Sequence, residues 1–339
     1  MIRVAINGFG RIGRTAFKIA LDKHADEVEV IGINDLTDAK TLAHLLKYDS
    51  NYGIWQHEVG SDEKNILVDG NKYPVFAEKE PDKLPWKDLA VDVVIESTGR
   101  FTDQEGSKLH LQAGAKKVVI SAPTKGDGSS VPTLLLGVNG EKYSGDEIIS
   151  NSSCTTNCIA PVAKVMNDKF GILKAMMTTV HAYTQDQNLQ DGPHKDLRRA
   201  RGAAQNIVPT TTGAAISTTE VIPELKGKFD GVAIRVPVAV GSISDFTFLL
   251  SKKVTIEEVN QAFKEAADSP HLRGILVVTD EPVVSSDIVG RSESAIVDLS
   301  LTQVVDGDMV KVFAWYDNEY GYSCRLVEQV INVGKSINS

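Results

Sequence analysis

Along roughly the first 120 residues, short β-branched runs alternate with stretches of helical spacing. Arg3–Asn7 reads as a strand, followed by a glycine-rich turn and a helix to about Ala25. Val28–Asn34 is the next strand, and Thr37–Lys47 carries apolar residues at helical intervals. Val91–Glu96 and Lys117–Ser121 predict two further strands, with a helix over Gln104–Ala113 between them. Strands that alternate with helices form βαβ units and a mostly parallel sheet, because parallel neighbours need a crossover.

The pattern changes near Asn151. Lys174–Val180, Val232–Val238 and Ser244–Leu250 read as longer strands. Val297–Val305 and Met309–Trp315 flank Asp306-Gly307-Asp308, which predicts a strand, a tight turn and a second strand. One helix, over Ile256–Ala267, interrupts these strands, so this half predicts an α+β domain with a mostly antiparallel sheet. The tail from Ser323 begins with a capping residue and puts Leu326, Val327, Val330 and Ile331 on one helical face. That face needs a partner, and the first domain is the expected one. Thr124–Ser130 reads as a loop. The segment Ala182–Val208 has little strand character and, at that length, predicts a functional loop or disorder.

Length and composition narrow the picture. The 339 residues suffice for two domains, and 42% apolar with 24% charged residues is the balance of a globular chain. A net charge of -9 offers no general attraction to nucleic acid or anionic lipid, so neither is expected as a primary partner. No stretch approaches the ~20 apolar residues that span a bilayer. The N-terminal residues enter a strand pattern at once, without the basic start and apolar core of a secretory leader. The three cysteines, two of them close together, form no disulfide framework and suit a reducing cytoplasm.

Gly8-Phe9-Gly10-Arg11-Ile12-Gly13 stands between the first strand and the first helix, and Asp35 ends the second strand about 20 residues further on. Gly8 suits a tight turn, Gly10 a close approach of backbone to a pyrophosphate, and Gly13 close helix packing. The helix N-terminus would face the phosphates, and Asp35 would accept from the adenosine ribose. Taken alone the glycines could be incidental and Asp35 a solvated strand end; the strand–turn–helix context selects the dinucleotide reading. An ionised Asp35 repels a 2′-phosphate, which favours NAD over NADP.

Cys154 lies in Ser152-Ser153-Cys154-Thr155, just before the helix-like run Ile159–Met166. A helix N-terminus favours thiolate, and flanking hydroxyls can donate to an anion. Local sequence supports a nucleophile and a small buried apolar residue equally. Cys158, one turn inward, reads as structural. His181 ends a strand, and its role as general base depends on meeting Cys154 in space. No paired metal-ligand spacing links these cysteines and histidines to His194, so no metal site is expected.

With these residues the chain resembles the phosphorylating glyceraldehyde-3-phosphate dehydrogenases from Ile2 to the C-terminal helix. NGFGRIGR from Asn7, ESTGRF from Glu96, SCTTNC from Ser153, HAYT from His181, PTTTGAA from Pro209 and WYDNEYGYS from Trp315 carry the likeness. The resemblance implies an α/β fold: a Rossmann dinucleotide-binding domain over 1–153 completed by a helix over 319–339, and an α+β catalytic domain over 154–318. It implies Cys154 as nucleophile and His181 as its base, acting through a thiohemiacetal and a thioester. It further implies Thr184 and Arg235 at the substrate phosphate, and Ser153, Thr155, Thr212 and Gly213 at the attacking inorganic phosphate. Arg199 matches an arginine near these anions. Arg11 and Ile12 match cofactor-lining positions, and Asn318 matches the residue that orients the nicotinamide amide. The implied partners are glyceraldehyde 3-phosphate, phosphate and NAD, in a cytoplasmic homotetramer serving glycolysis and gluconeogenesis.

Three departures stand out. Ser152 replaces a usual alanine, Gly192 a frequent leucine, and Pro237–Ser242 a usual P-T-P-N-V-S pattern. Gly192 removes bulk that excludes NADP, which leaves NADP open as a secondary cofactor. The competing readings are an erythrose-4-phosphate dehydrogenase, which generally lacks the Thr210–Gly213 motif, and a non-catalytic binding protein on the same fold.

Overall fold

The computed structural model describes residues 1–124 and 131–338. The chain forms two compact units. The first comprises Met1–Leu134, Lys142–Ser152 and Ser323–Ser339. Its elements are β1 (Ile2–Asn7), α1 (Arg11–Lys23), β2 (Val28–Asn34), α2 (Ala39–Lys47), β3 (Tyr48–Asp49), β4 (Gly53–Ile54), β5 (Val59–Ser61), β6 (Asn65–Val68), β7 (Asn71–Phe76), β8 (Val93–Glu96), α3 (Gln104–Gln112), β9 (Lys117–Ile120) and β10 (Ile148–Ser150). The main sheet has the order β10-β9-β8-β1-β2-β7-β6-β5. It is parallel from β10 to β7 and antiparallel at the β7-β6-β5 edge.

Ala5, Ile6, Ile33, Val93, Val94, Val118, Val119 and Ile120 are fully buried, as strands covered on both faces require. Each of the larger side chains contributes about 1.5–3 kcal/mol by leaving water. Chain order reverses between β1 and β8, which puts the loops after those strands side by side, the usual ligand position of an open parallel sheet. Register aligns the last residues of three strands, Asn34, Asn7 and Glu96.

The second unit comprises Leu135–Glu141 and Ser153–Tyr322. It contains α4 (Cys154–Phe170), β11 (Ile172–Ala182), β12 (Val208–Thr211), α5 (Ala214–Val221), β13 (Phe229–Val236), β14 (Ser242–Leu250), α6 (Ile256–Asp268), β15 (Leu276–Thr279), β16 (Ala295–Asp298), β17 (Gln303–Val305) and β18 (Met309–Tyr316). The sheet order is β12-β13-β11-β14-β18-β16-β15, with β17 also on β18. Only β11–β13 and β15–β16 are parallel, so the sheet is mostly antiparallel. Ser242, Ser244, Phe246, Phe248 and Leu250 of β14 are buried, while the alternate positions are partly exposed. The buried side packs with Cys158, Ile159, Val162 and Met166 of α4.

Several elements differ from expectation. Val297–Val305 is not one strand, because the Asp298 carboxylate accepts from Ser300 N (3.2 Å) and Oγ (2.6 Å) and caps a 3₁₀ turn at Leu299–Leu301. Only β17 makes the hairpin with β18. Helix α5, rich in threonine and weak in helix propensity, was not anticipated; Ala214, Ala215 and Val221 are buried in the core of the second unit. The last helix, α7 (Tyr320–Lys335), starts before Ser323, which lies inside it and is buried. The Asp317 carboxylate accepts from the Glu319 and Tyr320 amides (both 2.8 Å) and starts the helix there. Leu326, Val327, Val330 and Ile331 are all buried, and a side chain at Gly334 would lie 2.6 Å from Ile2. Ala182–Val208 contains neither helix nor strand between its ends. The expected loop at Thr124–Ser130 lies, from Lys125 onward, outside the described residues.

The glycines of the first turn differ in what surrounds them. A Cβ on Gly13 would stand 2.1 Å from the Gly8 carbonyl oxygen, whereas one on Gly10 meets nothing within 4 Å. Gly13→Ala is expected to lower stability in urea unfolding by about 1–3 kcal/mol, and Gly10→Ala by less than about 1 kcal/mol. Equal midpoints for the two variants would contradict the close packing of α1 on the loop.

Candidate active site

At the carboxyl end of the parallel sheet, Gly8 has φ +92°, and a Cβ there would lie 2.7 Å from Ser97 C and Thr98 N. Ser97 Oγ donates to Gly8 O at 2.7 Å and Ser97 N to Asn7 O at 2.8 Å, so the two loops are tied together. Gly10 is the N-cap of α1 and supplies no side-chain cap, which leaves open space before a helix N-terminus. A pyrophosphate fits that cradle by charge and by shape. Asp35 Oδ2 accepts from Phe9 N (2.8 Å) and Oδ1 from Thr37 N (2.9 Å), and each oxygen keeps a lone pair for a ribose hydroxyl. Ile12 is half-buried in the first turn of α1, with Gly13 packed behind it. The Arg11 guanidinium pairs with Asp49 at 2.7 Å and covers the Tyr52 ring. Burial works against the Asp49 carboxylate, yet Arg11 and the Asn51 and Tyr52 amides hold it below its ordinary range.

In the second unit, Cys154 is the first residue of α4 and Ser153 is its N-cap, accepting from Thr156 N at 3.1 Å. Ser152, just before the cap, has φ +53°, a left-handed backbone that costs a non-glycine residue roughly 1 kcal/mol. Cys154 Sγ lies 3.4 Å from His181 Nε2. The parallel register of β11 and β13 pairs His181 with Arg235, and Arg235 Nη1 approaches to 2.8 Å from His181 Nδ1. Ala182 O lies 2.6 Å from Nδ1 and 3.0 Å from Arg235 Nη1. Both Ala182 O and the donor-only Arg235 Nη1 face Nδ1; with the Nδ1 proton given to the carbonyl, Arg235 Nη1 donates to that same oxygen and the Nε2 lone pair faces the thiol.

Burial pushes the Cys154 thiol up, against the pull of Arg235 and Thr155. The helix N-terminus therefore does not by itself deliver the thiolate that the sequence predicts, because partial burial works against the charged sulfur. Burial, then Arg235, pushes His181 down to about 3, so the ring is neutral at rest. Proton transfer from Sγ to Nε2 is the route that creates two opposite charges in contact in place of one buried alone.

The residues expected at the anions fall into two groups. Arg235 Nη1 is 3.5 Å from Thr184 Oγ1, its Nε is buried without a partner, and no carboxylate pairs with it among the described residues. Such an unneutralised guanidinium fits an anion. Arg199 is held differently, by Asp186, by Thr210 Oγ1 (2.9 Å) and by Thr211 O (3.0 Å), which places it beside Thr212 and Gly213. Gly213 is the N-cap of α5 with no side-chain cap. Arg199 lowers the proton affinity of both His181 and Arg235. Thr155 Oγ1 lies 4.0 Å from Cys154 Sγ. Asn318 Oδ1 accepts from Gly241 N (3.1 Å) and Ser242 Oγ (2.9 Å), so the donors it offers are on Nδ2. Among the described residues no group of three or more His, Cys, Asp or Glu is arranged to hold a metal.

Family models described as the NAD binding domain and the C-terminal domain of glyceraldehyde 3-phosphate dehydrogenase match residues 2–104 and 153–318. The chain belongs to the glyceraldehyde-3-phosphate dehydrogenase family. It is 54% identical over 338 residues to the glyceraldehyde-3-phosphate dehydrogenase of Streptomyces coelicolor, covering 99% of both chains. The Mycobacterium tuberculosis protein of that name is 56% identical over 342 residues, again covering 99% of both. Glyceraldehyde-3-phosphate dehydrogenase 1 of Bacillus cereus is 53% identical over 330 residues, covering 97% of both.

Within this glyceraldehyde-3-phosphate dehydrogenase fold, the structure adds residues that sequence reasoning missed. Tyr316 hydroxyl meets Thr179 Oγ1 (2.7 Å) and Thr155 Oγ1 (3.0 Å), and its ring stands edge-on to His181 at 5.9 Å. It braces the histidine and Thr155 together. Ser242 Oγ accepts from Ala182 N at 3.1 Å while it holds Asn318. The signal for Ser242 lay in the departing Pro237–Ser242 segment, and that for Tyr316 in the matching WYDNEYGYS segment, which by itself gives the tyrosine no role.

His181→Asn removes the base that stands 3.4 Å from the sulfur. Alkylation of Cys154 by iodoacetamide at pH 7 should slow at least about tenfold, with NAD affinity unchanged. Equal alkylation rates in the variant and the parent would contradict the pairing.

Proposed function

We propose that the chain catalyses reversible oxidation of glyceraldehyde 3-phosphate to 1,3-bisphosphoglycerate with NAD and inorganic phosphate, serving glycolysis and, in reverse, gluconeogenesis. The observation that carries this reading is Cys154 Sγ at 3.4 Å from His181 Nε2, with the carboxylate-free Arg235 beside the histidine. His181 takes the thiol proton, the sulfur adds to the aldehyde carbon, and the ring returns that proton to the carbonyl oxygen to give a thiohemiacetal. Arg235 and Thr184 hold the substrate phosphate. After burial, Arg235 is the next cause of the weak basicity of His181, so a phosphate on Arg235 strengthens the base when substrate is present.

NAD, when bound, supplies the acceptor for the hydride that leaves C1. His181 takes the thiohemiacetal hydroxyl proton as that hydride departs, which leaves a thioester on Cys154. Inorganic phosphate, received by Ser153, Thr155, Arg199, Thr212 and Gly213, attacks the thioester carbon; the C–S bond breaks and the acyl phosphate leaves. In this reading residues 1–153 with 319–339 hold the cofactor through Gly8, Gly10, Arg11, Ile12, Gly13 and Asp35, and residues 154–318 carry the chemistry and the nicotinamide-orienting Asn318. Thr210–Gly213, at the end of β12, favours this reaction over erythrose-4-phosphate oxidation.

The Asp35 carboxylate, fixed by Phe9 and Thr37 amides, supports NAD as the main cofactor and a weaker use of NADP. A homotetramer is supported by apolar side chains that stand exposed on the second sheet and in the long loop. Met176 is 61% and Val232 48% exposed on the sheet, with Leu189, Leu197 and Ile207 exposed in the loop. Free cysteines and the absence, among the described residues, of any helix long and apolar enough to cross a membrane accord with a cytoplasmic protein.

NADH formation from glyceraldehyde 3-phosphate and NAD should be sustained only with phosphate, and turnover with NADP should be slower. Cys154→Ser should lose at least about 1,000-fold in kcat, since an alcohol ionises far less than a thiol. A burst that ignores phosphate, or near-normal turnover of Cys154→Ser, would refute the mechanism. Light scattering at micromolar concentration should give the mass of four chains; a monomer would refute the assembly.

A further inference from the structure

Asn34, Asn7 and Glu96 end three neighbouring parallel strands in one row, and their side chains continue as a buried hydrogen-bonded chain. Glu78 N donates to Asn34 Oδ1 (2.9 Å), and Asn34 Nδ2 donates to Glu78 O (2.9 Å) and to Asn7 Oδ1 (2.7 Å). Asn7 Nδ2 then donates to Glu96 Oε2 at 2.6 Å. From the opposite side, Trp86 Nε1 donates to His110 Nδ1 at 3.0 Å. An indole can only donate, so His110 carries its proton on Nε2 and gives it to the same Glu96 oxygen, 3.0 Å away. Glu96 Oε1 accepts from Thr98 N (2.8 Å) and from Thr98 Oγ1. The side chains of Glu96 and His110 are wholly inaccessible.

Donation runs inward to Glu96 from both ends, fixed by groups that cannot reverse: a backbone N–H at Glu78 and an indole N–H at Trp86. Four donors converge on position 96, and only an ionised carboxylate accepts from all of them while donating nothing. An amide there would oppose its own N–H either to Thr98 or to Asn7 and His110. Flipping Asn7 would break its bond from Asn34, and the other tautomer of His110 would leave Trp86 opposed to a proton.

We propose that Glu96 is a positioning residue that presets both rims of the dinucleotide site. At one rim it fixes Thr98, whose backbone lies against Gly8 and whose hydroxyl accepts from Arg100 N at 3.0 Å. At the other rim the chain ends on Glu78, next to Asp35, whose amide donates to Phe76 O at 3.0 Å. A buried negative charge beneath a pyrophosphate is unfavourable in itself, so what Glu96 contributes is order. Folding arranges the two turns, and the cofactor does not have to.

The inference rests on the reading of the first unit as the NAD site, and titration of NAD into reduced full-length protein tests both. Glu96→Gln and Asn7→Asp, taken singly, should each raise the Kd for NAD about tenfold or more, and KM for NAD with it, because each opposes like groups in the buried chain. Alkylation of Cys154 without cofactor should not change. The pair Asn7→Asp with Glu96→Gln is isosteric and moves the charge by one residue. The new carboxylate at position 7 can accept from Asn34, from the new amide and from His110 Nε2, which now lies 3.3 Å from Asn7 Nδ2. The amide oxygen at position 96 still accepts from Thr98. The amide nitrogen at position 96 still stands 3.0 Å from His110 Nε2, so this double variant should recover NAD affinity in part, above that of either single variant. Parent-like affinity in Glu96→Gln would overturn the proposal, as would a double variant no better than the worse single one. If Glu96→Gln does not fold, the double variant decides alone: a folded protein that binds NAD supports the proposal, and failure to fold or to bind refutes it. Failure of the parent to bind NAD would remove the dinucleotide reading and this inference with it.

Discussion

Strands β11 and β13 run parallel and in register, so His181 and Arg235 stand side by side on the sheet. Helix α4 packs in the same core and starts at Cys154, which brings the sulfur to the other ring nitrogen of His181. The histidine is therefore held between a cation and a thiol by backbone pairing rather than by a flexible loop. The remaining groups follow from that arrangement. The Ala182 carbonyl sets the ring's proton, Ser242 fixes the Ala182 amide, and Tyr316 braces the ring from the side.

Burial governs the chemistry as much as the neighbours do. It disfavours the thiolate and the imidazolium when each is considered alone, and Arg235 adds to the second effect. Two neutral groups at rest become useful only when a proton passes between them and the charges form together. The first unit follows a related rule at Glu96, where a lone buried carboxylate is tolerated because four donors surround it.

The parts of this arrangement that sequence reveals are the local ones. Gly8–Gly13 between a strand and a helix, Ser153 before a helical run and His181 at a strand end all carry short-range signals. Glycine conformations, caps and periodicity are decided within a few residues. The meeting of His181 with Arg235 is a matter of strand register, and no local pattern encodes it. The same holds for Asn7, Asn34 and Glu96, which read separately as polar strand ends. Local reading also failed where a side chain overrode periodicity, as when Asp298 broke the expected strand and Asp317 started α7 ahead of Ser323. Helix α5 was missed because burial, not propensity, holds it.

Arg199 is already neutralised by Asp186. An incoming anion must therefore compete with a carboxylate tethered to the same loop, and what it gains is the difference between two ion pairs. Association at that arginine is a partner exchange, in which the displaced carboxylate stays close enough to return. Such an exchange keeps affinity moderate and speeds dissociation, which suits the phosphate-handling role proposed for Arg199, where one anion would arrive and a different one leave in every cycle.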